Sequence, residues 1–169
     1  MSAPRVEPAE LSEDESLVDL RCAVAVIHEG RFLLIERISA GDWVLPGGRP
    51  RHGESMVACA RREVREETGL EVQPKRCAFV LEVTDPGLTR RIVELIFTAD
   101  AADPTAELAG EPGGRPRWVP AAELAQVPLR PPIAGYLPSL AGRGKETARY
   151  LGNLWRPSDA AFWAADGPE

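Results

Sequence analysis

The chain has 169 residues, 44% hydrophobic and 27% charged, enough for one domain with a real core. Its formal net charge of −6 argues against a basic face, and so against nucleic-acid polymers and acidic membranes as partners. No apolar run reaches the ~20 residues that cross a bilayer.

Residues 1–19 start with the acidic stretch "MSAPRVEPAELSEDES". It has no apolar centre, so it reads as a mobile N-terminal arm rather than a signal peptide. Residues 20–169 then form a single domain. "LRCAVAVIHEGRFLLIERI" predicts two strands, Leu20–His28 and Arg31–Arg37, joined by a turn at Glu29-Gly30. "SAGDWVLPGGRPRHGE" is rich in Gly and Pro and reads as a loop. Ser55–Thr68 predicts a helix, started at Glu54-Ser55 and ended by Gly69 in the C′ position. Two strands follow at about Lys75–Thr84 and Arg91–Ala99, then a loop, the short strand "RWVP" and a helix at Ala121–Gln126 after Pro120. Beyond Pro128, "IAGYLPSL" suggests a helix interrupted by Pro138, "ARYLGNLW" a strand, and "AAFWAA" a short apolar segment.

Cys22, Cys59 and Cys77 are an odd number of cysteines with no metal-ligand spacing. Cys22 and Cys77 lie in apolar runs, which suggests buried free thiols and a cytoplasmic, reducing setting. His28 and His52 are the only histidines, and neither has a partner at ligand spacing.

The informative stretch is "PGGRPRHGESMVACARREVREETGLEV". Glu63, Glu66 and Glu67 stand at i, i+3 and i+4, on one helical face about 100° wide. Val57, Val64 and Thr68 take the opposite side, free to pack on a sheet. Three carboxylates on one stripe repel by a few tenths of a kcal/mol (roughly) per pair unless a cation lies among them. Arg61, Arg62 and Arg65 are one source of cations, and would make the stripe an ordinary solvated face. A hard divalent ion is the other.

Gly48, five residues, Glu54, seven residues, Arg62-Glu63-Val64, one residue, Glu66-Glu67, one residue and Gly69-Leu70 resemble the Nudix box at every defining position. Chance gives such a match with a probability on the order of 10⁻¹⁰ per starting point, so the box outweighs the solvated-face reading. "RFLLIER", "DWVLPGG" and "RWVPAAEL" are similar to the flanking Nudix elements, over roughly residues 20 to 127.

The resemblance implies an α/β fold: an α/β/α sandwich with a mixed β-sheet and a loop–helix–loop catalytic motif. It implies a hydrolase that cleaves the diphosphate linkage of a nucleoside diphosphate joined to another moiety, a small nucleotide being its partner. Mg²⁺ or Mn²⁺ is the implied cofactor, with Glu63, Glu66, Glu67 and the carbonyl of Gly48 as ligands. Glu54 and Arg62 match a supporting pair that holds helix and loop together. The family's general base is either a box glutamate or a later acid, here Glu111. Arg37 and Arg49 are candidate phosphate contacts, and Trp43 a candidate substrate contact by shielding or stacking. A homodimer is compatible with the resemblance. Pro86 lies sixteen residues after Leu70, which resembles a marker of ADP-ribose-hydrolysing members and slightly favours ADP-ribose or a nucleotide sugar as substrate, with damaged or ordinary nucleoside triphosphates left open. The competing reading is a non-hydrolytic Nudix-fold binding module or sensor. Such modules usually lose box carboxylates, and none is missing here.

Overall fold

Strict alternation along the first strand organises the molecule. In β1 (Leu17–His28), Cys22, Val24 and Val26 join one buried cluster while Ala23 and Ala25 join another. Both faces of this strand are covered, as its unbroken apolar run requires. The computed structural model describes residues 17–84, 90–142 and 147–156.

β1 runs parallel to β6 (Arg90–Ala101) and antiparallel to β2 (Arg31–Arg37). β3 (Asp42–Val44), β4 (Gly47–Gly48), α1 (Met56–Thr68) and β5 (Val72–Thr84) follow β2 in the chain. After β6 come β7 (Gly114–Pro120), β8 (Leu129–Arg130) and β9 (Arg149–Asn153). The sheet order is β8-β3-β2-β1-β6-β5-β9, with β4 beside β1 and β7 beside β2. The result is a mixed, curled sheet. One wing (β4, β1, β6, β5, β9) and the other (β7, β2, β3, β8) face each other across a shared core that includes Phe32, Leu34, Phe79, Leu81 and Ile96.

α1 covers the outer face of the first wing. Ser55 caps it by accepting from Ala58 N at 3.1 Å, and Gly69 ends it at φ 76°, donating to the Arg65 carbonyl. Cys59, Ala60, Val64 and Thr68 are its buried residues. Val57 is 39% exposed, contrary to expectation, so Cys59 and Ala60 do the packing assigned to it.

Among the described residues α1 is the only α-helix. The second helical layer is built instead from two 3-10 helices, Ala121–Gln126 and Leu137–Ala141, which bury Leu124, Leu137 and Leu140. Prolines at 120, 128, 131, 132 and 138 leave no run long enough for an α-helix there. The expected arm is shorter than 1–19, because Leu17–Asp19 pair with residues 90–92 in β6. The rest of the arm, Pro86 and "AAFWAA" lie outside the described residues. No helix among the described residues is long and apolar enough to cross a membrane.

Candidate active site

Gly47 and Gly48 carry the loop between β1 and α1 with no room to spare. A Cβ on Gly47 would fall 2.3 Å from the Cys22 carbonyl oxygen, and one on Gly48 would fall 2.4 Å from Glu63 Oε1. Only glycine fits both approaches. The Gly48 carbonyl oxygen lies 3.7 Å from the thiols of both Cys22 and Cys59, which are fully buried. Burial pushes both thiols up, so they act as neutral packing groups. All three cysteines are free, as expected, but Cys77 is only half-buried where burial was expected.

Arg62 is the hub of the acidic face. Its Nε and Nη2 donate to the two oxygens of Glu54 at 2.8 and 2.9 Å, a bidentate pair. Its Nη1 donates to Glu63 at 2.6 Å and to Glu66 at 2.9 Å, and Nη2 also reaches the Arg49 carbonyl. Arg51 adds its backbone N–H to Glu54 and its side chain to Glu66. The hydrogen bond from Arg62, then that from the Arg51 amide, holds Glu54 down to about 2. Glu54 in turn leads the contacts that raise Arg62 further above its usual value. The expected pair is therefore present, and it grips two of the expected metal ligands as well.

Glu67 has a different environment. Its Oε2 accepts from Gly47 N at 2.8 Å, and Arg21 donates to the Gly47 carbonyl beside it. Burial pushes the Glu67 carboxyl up to about 8; the charges of Glu63 and Glu111 add to this, while the Gly47 amide and Arg21 oppose it. The segment that carries Glu111, itself exposed, is tied to the end of α1. Ala109 N donates to the Thr68 carbonyl at 3.0 Å, and Gly114 N donates to the Glu111 carbonyl, turning the chain into β7.

The donor set fits a hard divalent cation. Every candidate ligand is an oxygen, with no His or Cys side chain among them. Glu63 Oε2 and Glu67 Oε1 make no hydrogen bond among the described residues. The carboxylates are nonetheless shared out between Arg62 and Gly47, and among the described residues no three converge on one point.

The other expected contacts divide. Arg37 is engaged by Asp42 through Nε at 2.7 Å and Nη2 at 2.8 Å, directly across the β2–β3 register. It staples the 38–41 turn and points away from the shared core, on the opposite face of β2 from Glu36. Arg49 lies 3.9 Å from Asp19, next to the loop glycines. Trp43 packs on the shared core, half-buried. Sequence reasoning passed over Arg21, although its odd position in β1 aligns it with Ala23 and Ala25 on the inner face.

A model of the NUDIX domain matches residues 19–140. The chain is 31% identical over 153 residues to the 8-oxo-dGDP phosphatase of Homo sapiens, covering 88% of this chain and 46% of that protein. It is 33% identical over 131 residues to a candidate 8-oxo-dGTP diphosphatase of Mycobacterium tuberculosis, covering 70% of this chain and 85% of the relative. A MutT-like protein of Streptomyces ambofaciens is 40% identical over 74 residues, 44% of this chain. The chain spans about half, 46%, of the length of the human and Streptomyces relatives. Among solved structures, a MutT protein from Bacillus halodurans matches with a TM-score of 0.65 at 22% identity, covering 83% of this chain and 92% of that one. A NUDIX hydrolase from Nitrosomonas europaea matches with a TM-score of 0.64 at 20% identity, over 82% and 81%. At such identities these structures speak for the fold, and the family model speaks for descent: the chain belongs to the NUDIX domain family.

Proposed function

We propose that the protein is a divalent-metal-dependent pyrophosphohydrolase acting on a small nucleotide, with water displacing a phosphoryl group at a diphosphate linkage. The observation that carries this is the division of labour on α1. Arg62 and Glu54 brace the helix against the loop, while Glu67 turns inward to accept from the Gly47 amide. A Mg²⁺ or Mn²⁺ ion held by Glu63, Glu66, Glu67 and the Gly48 carbonyl would bind phosphate oxygens and lower the pKa of water. Arg49, beside the loop glycines, would meet phosphate, and Trp43, half-buried against the core, would meet the base. Glu111, or a box glutamate, accepts the proton of the attacking water. The Arg37–Asp42 pair supports a structural role for Arg37 instead of phosphate contact.

For the substrate, the names of the human and mycobacterial relatives favour oxidised deoxyguanosine nucleotides. ADP-ribose and nucleotide sugars are the second class, on the strength of Pro86. The experiment is a panel of 8-oxo-dGDP, 8-oxo-dGTP, the undamaged nucleotides, ADP-ribose and a nucleotide sugar, with Mg²⁺, Mn²⁺ or EDTA and product identification. Turnover of none of them with metal refutes the hydrolase reading, and turnover surviving exhaustive EDTA refutes the metal.

A further inference from the structure

The inner face of the second wing carries a row of three different side chains across neighbouring strands. Arg115 in β7 is in register with Glu36 in β2, and Glu36 with Trp43 in β3. Parity puts Glu36 and Arg115 on the core side, because Phe32, Leu34 and Val119, two or four residues away on the same strands, are buried in the shared core, against which Trp43 also packs. At this end the core gives way to half-exposed polar groups. Arg117 lies one pleat along, opposite Leu34.

Two cations share one acid here. Arg117 Nε lies 3.3 Å and Arg115 Nη1 3.7 Å from the same Glu36 oxygen, Oε2. The arginine side chains are 55% and 52% exposed. Two positive charges against one negative leave an excess of one, in a chain whose net charge is −6. Glu36 Oε2 is buried and makes no hydrogen bond among the described residues, the two arginines meeting it only at ion-pair distance. β7 starts directly after the turn that carries Glu111, whose charge is felt at Glu67.

We propose that this row reads the nucleotide end to end. Trp43 stacks on the base, the Glu36 carboxylate accepts from a sugar hydroxyl or base N–H, and Arg115 with Arg117 binds the phosphates. Adjacent strands are about 4.8 Å apart, so Arg115 and Trp43 stand roughly 10 Å from each other, a nucleoside's length. A flat π-face suits any base, and a guanidinium fork suits phosphate. The sequence signal was present in "GRPRWVP", where two arginines alternate before a core valine. This assignment rests on the nucleotide reading above, with the base-stacking role of Trp43 extended to three residues not assigned there.

The test separates the two ends with a probe that has no base. Inorganic tripolyphosphate with Mg²⁺ is titrated calorimetrically into the wild type and into Arg115→Ala, Arg115→Lys, Arg117→Ala and Trp43→Ala, with circular dichroism confirming folding. Arg115→Ala is expected to weaken tripolyphosphate binding by about tenfold or more, the scale of a lost charge-assisted hydrogen bond, with Arg115→Lys intermediate. Trp43→Ala should leave tripolyphosphate binding within about twofold while raising the KM of the nucleotide substrate by about tenfold, as loss of a stacked base does. No tripolyphosphate binding by the wild type, equal binding in Arg115→Ala, or an equal loss in Trp43→Ala overturns the row. Absence of nucleotide turnover would refute the hydrolase reading separately, since the calorimetry does not depend on catalysis.

Discussion

The carboxylate of Glu63 rests on the α-carbon of Gly48: a methyl group at that position would lie 2.4 to 2.8 Å from its three terminal atoms. The helix that carries the acids and the loop that faces them are thus in contact through a missing side chain. Gly48→Ala must displace Glu63, because the neighbouring strand β1 blocks retreat of the loop at Gly47. We expect kcat to fall by about 10²-fold, as in loss of a key electrostatic group. The fold should survive, because the flexible end of Glu63 can swing aside. Near-wild-type turnover in this variant would mean that Glu63 does not need its present seat.

Arg62 holds Glu54, Glu63 and Glu66 at once, and its side chain is 12% exposed. Arg62→Ala removes one cation and leaves three acids facing each other. Stability and activity should fall together, with Tm lower by about 5 °C or more. Arg62→Lys keeps a charge but loses the fork that spans Glu54, so it should recover only part of the loss. An unchanged Tm in the alanine variant, read by calorimetry without metal, would show that the network adds nothing to stability.

Glu67 gives the protein a pH dependence of known sign. Its carboxyl is pushed from 4.5 to about 8, so the metal-free folded state holds a proton that the unfolded state releases. That contribution to stability is complete below pH 4.5 and is lost as pH rises through 8. Glu67→Gln removes it. Without metal, the variant should therefore gain on the wild type as pH rises from 5 to 9, and added Mg²⁺ at pH 9 should favour the wild type. Parallel Tm profiles for the two proteins would contradict the buried placement of this acid. The same variant should lose about 10²-fold in kcat if Glu67 is a metal ligand.

Much of this site was legible in residue order. Ser55 and Gly69 bounded the helix correctly, because capping is chemistry local to a few residues. The 3.6-residue period put Glu63, Glu66 and Glu67 on one stripe. What stayed hidden depended on distant partners. β3, β4 and β8 are two or three residues long and exist only through pairing with β2, β1 and β3. β7 begins at Gly114, ahead of the expected "RWVP", because an edge strand tolerates Pro116. Arg37 looked like a phosphate contact until β3 brought Asp42 beside it. The pairing of Arg62 with Glu66 was available as an i, i+4 contact, whereas Glu54 joined it only when the loop folded back.

Glu111 leaves the identity of the base open to a clean measurement. It is exposed, it sits in a turn closed by the Gly114 amide, and its charge is felt at Glu67. Proton acceptance matters only as the water attacks, so a base can be removed without loss of substrate or metal binding. If Glu111 is the base, Glu111→Gln should reduce kcat by about 10²-fold or more, with KM and metal affinity within about twofold. If a box glutamate serves instead, the variant should turn over at the wild-type plateau rate. A third pattern discriminates further. Glu111 adds to the pressure that raises Glu67, so neutralising it should ease the ionisation of Glu67 and shift the acidic limb of the pH–rate profile to lower pH without changing the plateau rate. Saturating metal and substrate are needed for the comparison, so that the rate reports the chemical step and not the filling of the site.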